Sequence, residues 1–315
     1  MSGSPEKLIL TCFQSPGDVI MMTAAVRDLH KSHPGKFLTD VRTPCPALWE
    51  NSPYITPIAD GDGRKIPMNY PLIHQSNELP YHFIHGHRRY LSEQLKLPIS
   101  ATAFKGDIHL SAEEKSWLPQ VKGDFWIINA GWKKDFTAKQ WATQYYQAVV
   151  DHFQGRVRFV QVGECHPDHT HPELTGVINL VGKTDLRQMV RLMYHAQGVV
   201  CGVTMHMHLA AAVETKPGRS RNRPCVVIAG GREPSHWEAY GHHAFFHTNG
   251  ALDCCDNGGC WKSRVTKLCD GDGKDNNLCL YPMPMVSGQT IAKCMSMIKP
   301  ADVIAAIERY LEFGR

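Results

Sequence analysis

The sequence predicts an α/β protein with mainly parallel sheets, arranged as two doubly wound domains that face one another across a cleft. Three observations carry this. Short apolar runs alternate with segments of helical period along most of the chain, and parallel strands need helical crossovers. Residues 125–128 and 225–228 are continuous apolar runs, as expected of strands covered on both faces. The first apolar run ends at Ser15-Pro16-Gly17-Asp18, a tight turn into a helix at the strand end where open α/β sheets place their ligands.

The elements follow in order. Lys7–Phe13 is the first strand, and from Asp18 onward Val19, Met22, Val26 and Leu29 recur on one helical face. Residues 124–131 form a strand, followed by a helix with Trp141, Tyr145, Val149 and Phe153 on one side. A strand at 156–163, a helix with Leu186, Val190 and Met193, a strand at 198–203, a helix around Leu209–Val213 and a strand at 224–231 complete the alternation. Pro98–Gly123, with Pro119 and a polar Ser-Ala-Glu-Glu-Lys segment, reads as the linker between domains 1–115 and 116–299. A last helix in 300–315 presents Ile304, Ile307 and Leu311 and packs back on the body. No repeat of fixed period and no low-complexity tract is present.

Composition narrows the function classes. The 315 residues are 43% hydrophobic and 20% charged, enough for two domains with their own cores. A net charge of +4, with Lys and Arg dispersed, argues against a nucleic-acid-binding face. The N-terminal MSGSPEKLILTC lacks the features of a signal peptide, and no run approaches the ~18 apolar residues of a membrane span. A soluble, cytoplasmic protein is expected.

Four stretches carry candidate chemistry. Asp18 sits at a helix N-terminus, where a carboxylate either caps the helix or takes a proton from an attacking hydroxyl. Asn129–Trp141 holds Lys133, Lys134 and Lys139 between a strand and a helix, either a solvated basic loop or a cradle for a diphosphate. Cys201–Ala212 places Thr204, His206 and His208 at a strand end before a helix of small residues; a histidine donating to an anion fits better than a two-histidine metal site. Gly163–His171 is a polar loop after a strand, in which Glu164 is free to accept hydrogen bonds from sugar hydroxyls.

Eleven cysteines divide into five scattered ones, Cys12, Cys45, Cys165, Cys201 and Cys225, and six between Cys254 and Cys294. In a reducing compartment the cluster reads as metal-binding more than disulfide-bonded. Cys255, Cys260, Cys279 and Cys294 are the expected ligands of a closed, structural zinc or iron site, with Cys254 and Cys269 as spare candidates. Such a site would fold the Gly- and Asp-rich loop, 252–294, onto the second domain.

The stretches SPGDVIMMTAAVRDLHKSHPG, AGWKKDFTAKQWATQYYQAVV and NLVGKTDLRQMVRLMYHAQGVVCGVTMHMHLAAAV resemble, in order, the three signature regions of the family-9 glycosyltransferases, the heptosyltransferase-like enzymes. The resemblance covers roughly residues 7–235 and implies a GT-B fold. The N-terminal Rossmann-like domain would bind the acceptor, and the C-terminal one a sugar nucleotide, usually ADP-heptose. It implies Asp18 as the general base of an inverting transfer. Lys139 matches a lysine that contacts the donor's phosphates, and Glu164 lies near the acidic residue that holds the ribose. Thr204 and His208 keep their matches in the third region, and with Lys133 and Lys139 they complete the donor-binding set.

Val203, however, stands where the family has an Asp that contacts the donor sugar, and Cys201 and Met205 replace two glycines. A catalytically inactive sugar-nucleotide-binding protein, or another GT-B enzyme acting on a sugar nucleotide, is therefore the alternative. No catalytic metal is expected. The acceptor stays open between lipopolysaccharide core, a protein serine and another glycan. The cysteine cluster resembles the four-cysteine iron site of a subgroup that glycosylates autotransporter proteins.

Overall fold

The computed structural model describes residues 4–116 and 120–313; residues 117–119 of the expected linker, Pro119 among them, lie outside the described residues. The chain opens with β1 (Glu6–Thr11), α1 (Pro16–Ser32), β2 (Phe37–Arg42), β3 (Arg64–Pro67), α2 (Ile84–Leu95) and α3 (Ala112–Ser116). β1 lies between β2 and β3, parallel to both. Leu8, Ile9 and Leu10 are all fully buried, so the central strand is covered on both faces.

α1 begins two residues before Asp18. Pro16 takes the first turn, where its missing N–H costs nothing, and Ser15 is the N-cap. The crossover that follows α2 is strapped to α1. Arg27, almost wholly buried, donates to the carbonyls of Lys105 (2.7 Å) and Ala103 (2.8 Å). At Gly106 an added Cβ would come within 2.6 Å of Ile20 and 3.0 Å of Ala212, so only glycine lets the segment pass there.

The second half contains β4 (Trp126–Asn129), β5 (Trp132–Lys133), α4 (Thr143–His152), β6 (Phe159–Gln161), β7 (His169–Thr170), β8 (Ile178–Asn179) and α5 (Leu186–His195). It continues with β9 (Gly198–Gly202), α6 (Met205–Ala212), β10 (Cys225–Gly230), α7 (Ser235–Glu238), β11 (Ala244–His247), β12 (Pro282–Pro284), β13 (Thr290–Ala292), α8 (Lys293–Met297) and α9 (Pro300–Phe313). Six strands form one parallel sheet in the order β11-β10-β9-β4-β6-β8. β5 and β7 pair as a short antiparallel ribbon, and β12 and β13 as another.

The α/β architecture with parallel sheets is as the alternation predicts. One core joins β1, α1 and α2 to α5, α6 and one face of the six-stranded sheet. A second core lies on that sheet's other face, under α4, α8 and α9.

Two helical faces differ from the reading of their periodicity. Trp141 precedes α4, and its indole donates to the Ile298 carbonyl (2.9 Å). In α9 the buried stripe is Val303, Ala306 and Ile307, while Ile304 is only partly buried and Leu311 is exposed. The rotation lets Glu308 meet Arg156 (2.6 Å) on one flank and the Tyr310 hydroxyl accept from the Ala244 N–H (3.0 Å) on the other. Among the described residues no helix is long and apolar enough to cross a membrane.

Candidate functional site

The six-stranded sheet changes winding direction between β4 and β9, the position where such sheets open a ligand crevice at their C-terminal edge. Gly131, Gly163, Gly202 and the Gly230-Gly231 pair end four neighbouring strands there. α6 starts at the same edge, with Thr204 as its N-cap accepting from the His206 N–H (3.4 Å). The turn before α1 packs against it: a Cβ on Gly17 would come within 3.2 Å of the His208 ring and 3.8 Å of the Met205 backbone.

Asp18 faces this junction and serves both of the roles its position allows. Oδ2 accepts from the Ser15 N–H (3.0 Å), closing a capping box, while Oδ1 accepts from the Tyr70 hydroxyl (2.5 Å). Burial raises the Asp18 pKa above the usual carboxylate range, against the Tyr70 and Ser15 hydrogen bonds and the charge of Lys139. A carboxylate with a raised pKa, one oxygen held by a hydroxyl, has the chemistry of a general base.

Lys139 Nζ lies 2.6 Å from Glu233 Oε1. Arg232 Nη1 donates to the same oxygen. Both Arg232 and Glu233 are buried. Burial acts to raise the Glu233 pKa, but the two cations outweigh it and hold the carboxyl below its ordinary range.

His208 Nδ1 is 3.0 Å from the Tyr240 hydroxyl, and its Nε2 is 3.8 Å from Glu238 Oε2. That contact is not an ion pair near neutrality: burial pushes His208 down to about 3, and burial beside Glu233 pushes Glu238 up to about 8.

The structure thus brings Asp18, Lys139, Thr204 and His208 to one junction. Lys133 and Glu164 belong to an adjoining, more exposed group on the β5–β7 ribbon, where Glu164 lies 3.7 Å from His169. His171 of that group fills a slot made by two glycines, since a Cβ on Gly131 or Gly163 would fall within 2.0 Å or 1.9 Å of its ring. Sequence reasoning missed Tyr70, Arg232, Glu233 and Glu238. The last three stand in Gly-Gly-Arg-Glu-Pro-Ser-His-Trp-Glu, directly after β10, and an ionisable triplet following a strand-ending Gly-Gly is a signal that was available.

The cysteines divide as their exposure dictates. Cys254, Cys255, Cys260, Cys279 and Cys294 line one cavity of about 10 Å³, while the spare candidate Cys269 is exposed. A Cβ on Gly231 would come within 3.0 Å of Cys255 Sγ and 3.5 Å of Cys294 Cβ, so that glycine makes room for the thiols. The expected ready-made clasp is nevertheless absent: among the described residues no group of three or more His, Cys, Asp or Glu side chains stands placed to hold a metal ion. Burial, with neighbouring thiols adding to it, pushes Cys254 to about 12 and Cys294 to about 11. The Cys255 thiol meanwhile turns to the Leu252 (3.4 Å) and Thr248 (3.6 Å) carbonyls.

The family model for glycosyltransferase family 9 (heptosyltransferase) matches residues 80–254, more than half of the chain. No curated protein matches in sequence. Among solved structures, a family-9 glycosyltransferase from Veillonella parvula superposes with a TM-score of 0.63 at 15% identity, over 98% of this chain and 97% of that one. The ADP-heptose lipopolysaccharide heptosyltransferase II of E. coli gives 0.57 at 16% identity, over 98% of each chain. The dodecameric iron-containing heptosyltransferase TibC of enterotoxigenic E. coli, in complex with ADP-D-beta-D-heptose, gives 0.67 at 15% identity, over 98% of this chain and 76% of that one. These likenesses establish a shared fold, the GT-B arrangement of the heptosyltransferases. With the family model covering both the β10 turn and the α6 edge where the candidate groups meet, the chain belongs to glycosyltransferase family 9 and is a glycosyltransferase.

Proposed function

We propose that the chain moves a heptose-like sugar from an ADP-linked donor to an acceptor hydroxyl with inversion, using Asp18 as general base. The observation that carries this reading is the Asp18 carboxylate itself. It is partly buried, oriented by Tyr70 and set within the electrostatic reach of Lys139, at the junction of the two sheets. Lys139, Thr204, His208 and the α6 N-terminus would stabilise the departing diphosphate, and Lys133 and Glu164 would meet the nucleoside side of the donor. Residues 1–115 would present the acceptor, 116–299 the donor, and 300–315 would brace the second sheet. Two of the structural neighbours are an ADP-heptose lipopolysaccharide heptosyltransferase and a heptosyltransferase in complex with ADP-D-beta-D-heptose, which supports the donor.

Val203 is buried and apolar where the family has a carboxylate, so recognition of the sugar falls to other groups around the junction. Asp18→Asn keeps the shape and one acceptor, for the Ser15 N–H, and turns an amide NH2 toward the Tyr70 hydroxyl while removing the base. It is expected to lower release of ADP from ADP-heptose by about 100-fold or more, with binding of ADP itself little changed. Undiminished turnover by Asp18→Asn would exclude Asp18 as the base.

We also propose a structural iron or zinc ion held by Cys255, Cys260, Cys279 and Cys294. The donor set fits a soft metal, and the cavity is the size of a single small occupant. TibC, of the same fold, is described as iron-containing. Bound there, the ion would clasp the loop and take no part in transfer. Metal analysis of protein purified without chelator is expected to give about one ion per chain, the occupancy of a closed four-thiolate site; a stoichiometry far below that rules the clasp out.

A further inference from the structure

Lys139 and Arg232 arrive from different strands, β5's following loop and the turn after β10, yet both meet a single oxygen, Glu233 Oε1. Arg232 is braced by further contacts. Its Nε donates to the Lys262 carbonyl (2.7 Å), and its guanidinium lies against Phe136 (5.2 Å) and Trp261 (5.4 Å). The backbone of Glu233 is fixed as well, since its carbonyl accepts from Asn249 Nδ2 (2.9 Å). The side chain of Glu233 can leave without moving the loop.

We propose that Glu233 is a built-in anion that holds Lys139 and Arg232 together before the donor arrives, and that the donor's diphosphate displaces it, with Arg232 as a second phosphate-binding cation. This rests on the reading of Lys139 as a donor-phosphate contact. A buried cation, Arg232, and a partly buried one, Lys139, at close range repel one another and need a counter-charge, which a carboxylate supplies in the free protein. A diphosphate carries more negative charge than one carboxylate and offers oxygens for both cations, one of them with the planar fork suited to phosphate. Swinging Glu233 aside sets a threshold: a ligand with a single weak anionic group would not outcompete it, so the carboxylate filters for diphosphates.

The test uses inorganic pyrophosphate and ADP titrated calorimetrically into the full-length protein and the variants Glu233→Gln, Arg232→Gln, Arg232→Lys and Lys139→Gln. Glu233→Gln is expected to bind pyrophosphate about fivefold tighter or more, the lower end of the range typical of coupled binding equilibria. Arg232→Gln should weaken it as much as Lys139→Gln does, and Arg232→Lys by less. Free Glu233→Gln should melt below wild type, yet show the larger rise in melting temperature with pyrophosphate. A purely structural role would not produce that pairing.

If Glu233→Gln does not fold, Glu233→Asp serves, because the shorter carboxylate cannot reach both cations and should also tighten pyrophosphate. Weaker or unchanged pyrophosphate binding in the folded Glu233 variant overturns the placeholder, and unchanged binding in Arg232→Gln overturns the second cation. Pyrophosphate carries neither nucleoside nor sugar. A protein that behaves as expected with pyrophosphate but fails to use ADP-heptose would refute the donor reading and leave this inference standing.

Discussion

Glu238 has a carboxylate oxygen, Oε2, that is buried and receives no hydrogen bond among the described residues. Burial and the charge of Glu233 raise its pKa from 4.5 to about 8, with Asp18 adding to the rise while Lys139 and Arg232 oppose it. Between those two values the native protein holds a proton that the unfolded chain has lost. Stability therefore falls as pH rises through that interval. Glutamine reproduces the shape of the protonated acid. Glu238→Gln is expected to match wild type near pH 4.5 and to become progressively more stable than it toward pH 8. His208, held neutral down to about pH 3, contributes equally to both proteins and cancels in the difference. Urea unfolding of the pair across that range reads the effect directly, and parallel curves would show that Glu238 is ionised in the native state.

The elements that the sequence makes legible are those buried on both faces. β4, β9 and β10 are runs in which every residue is buried and all but Asn129 are apolar or glycine, and no solvent-facing residue interrupts the signal. β2, β3 and α2 are not legible in the sequence, because a strand such as Phe-Leu-Thr-Asp-Val-Arg is mixed in polarity and draws its partner from another part of the chain. The candidate site divides in the same way. Asp18, Lys139, Thr204 and His208 stand beside strand ends and could be placed from local pattern, whereas Tyr70 lies 52 residues from the carboxylate it orients. The Gly- and Asp-rich loop shows a further limit. Two of its aspartates, Asp270 (2.8 Å) and Asp275 (2.6 Å), meet the fully buried Arg264, which also meets Asp135 (2.7 Å) of the loop after β5. A loop without an apolar core thus gains an ionic one, organised by a single arginine that composition alone does not single out.

Across the whole molecule, the two sheets are joined on either side of the Asp18 junction. On one side Asn77 accepts from the Gly259 N–H (3.1 Å) and Trp261 Nε1 (3.0 Å) and donates to the Gly259 carbonyl (2.9 Å). On the other, Arg187 of α5 forks onto Glu114 of α3 with two 2.6 Å contacts and donates to the carbonyls of His109 (2.7 Å) and Ala47 (3.1 Å). Arg187→Gln removes the fork and leaves Glu114 half-buried without its cation. An exposed pair is worth a fraction of a kcal/mol and breaking a buried one costs ~3–5, so a loss of about 2 kcal/mol is expected for this partly buried knot. The sign with pH follows from Glu114, whose pKa Arg187 holds below 4.5. The knot's contribution is fully present above the unfolded value and is lost as pH falls through the lower, native one. The gap between wild type and Arg187→Gln should therefore be widest near neutrality and close in acid. Since the same knot ties α5 of the second half to α3 and the segments at Ala47 and His109 of the first, the variant is also expected to raise the KM for the donor more than it lowers kcat. A stability gap that persists unchanged at acid pH would assign Arg187 to packing alone.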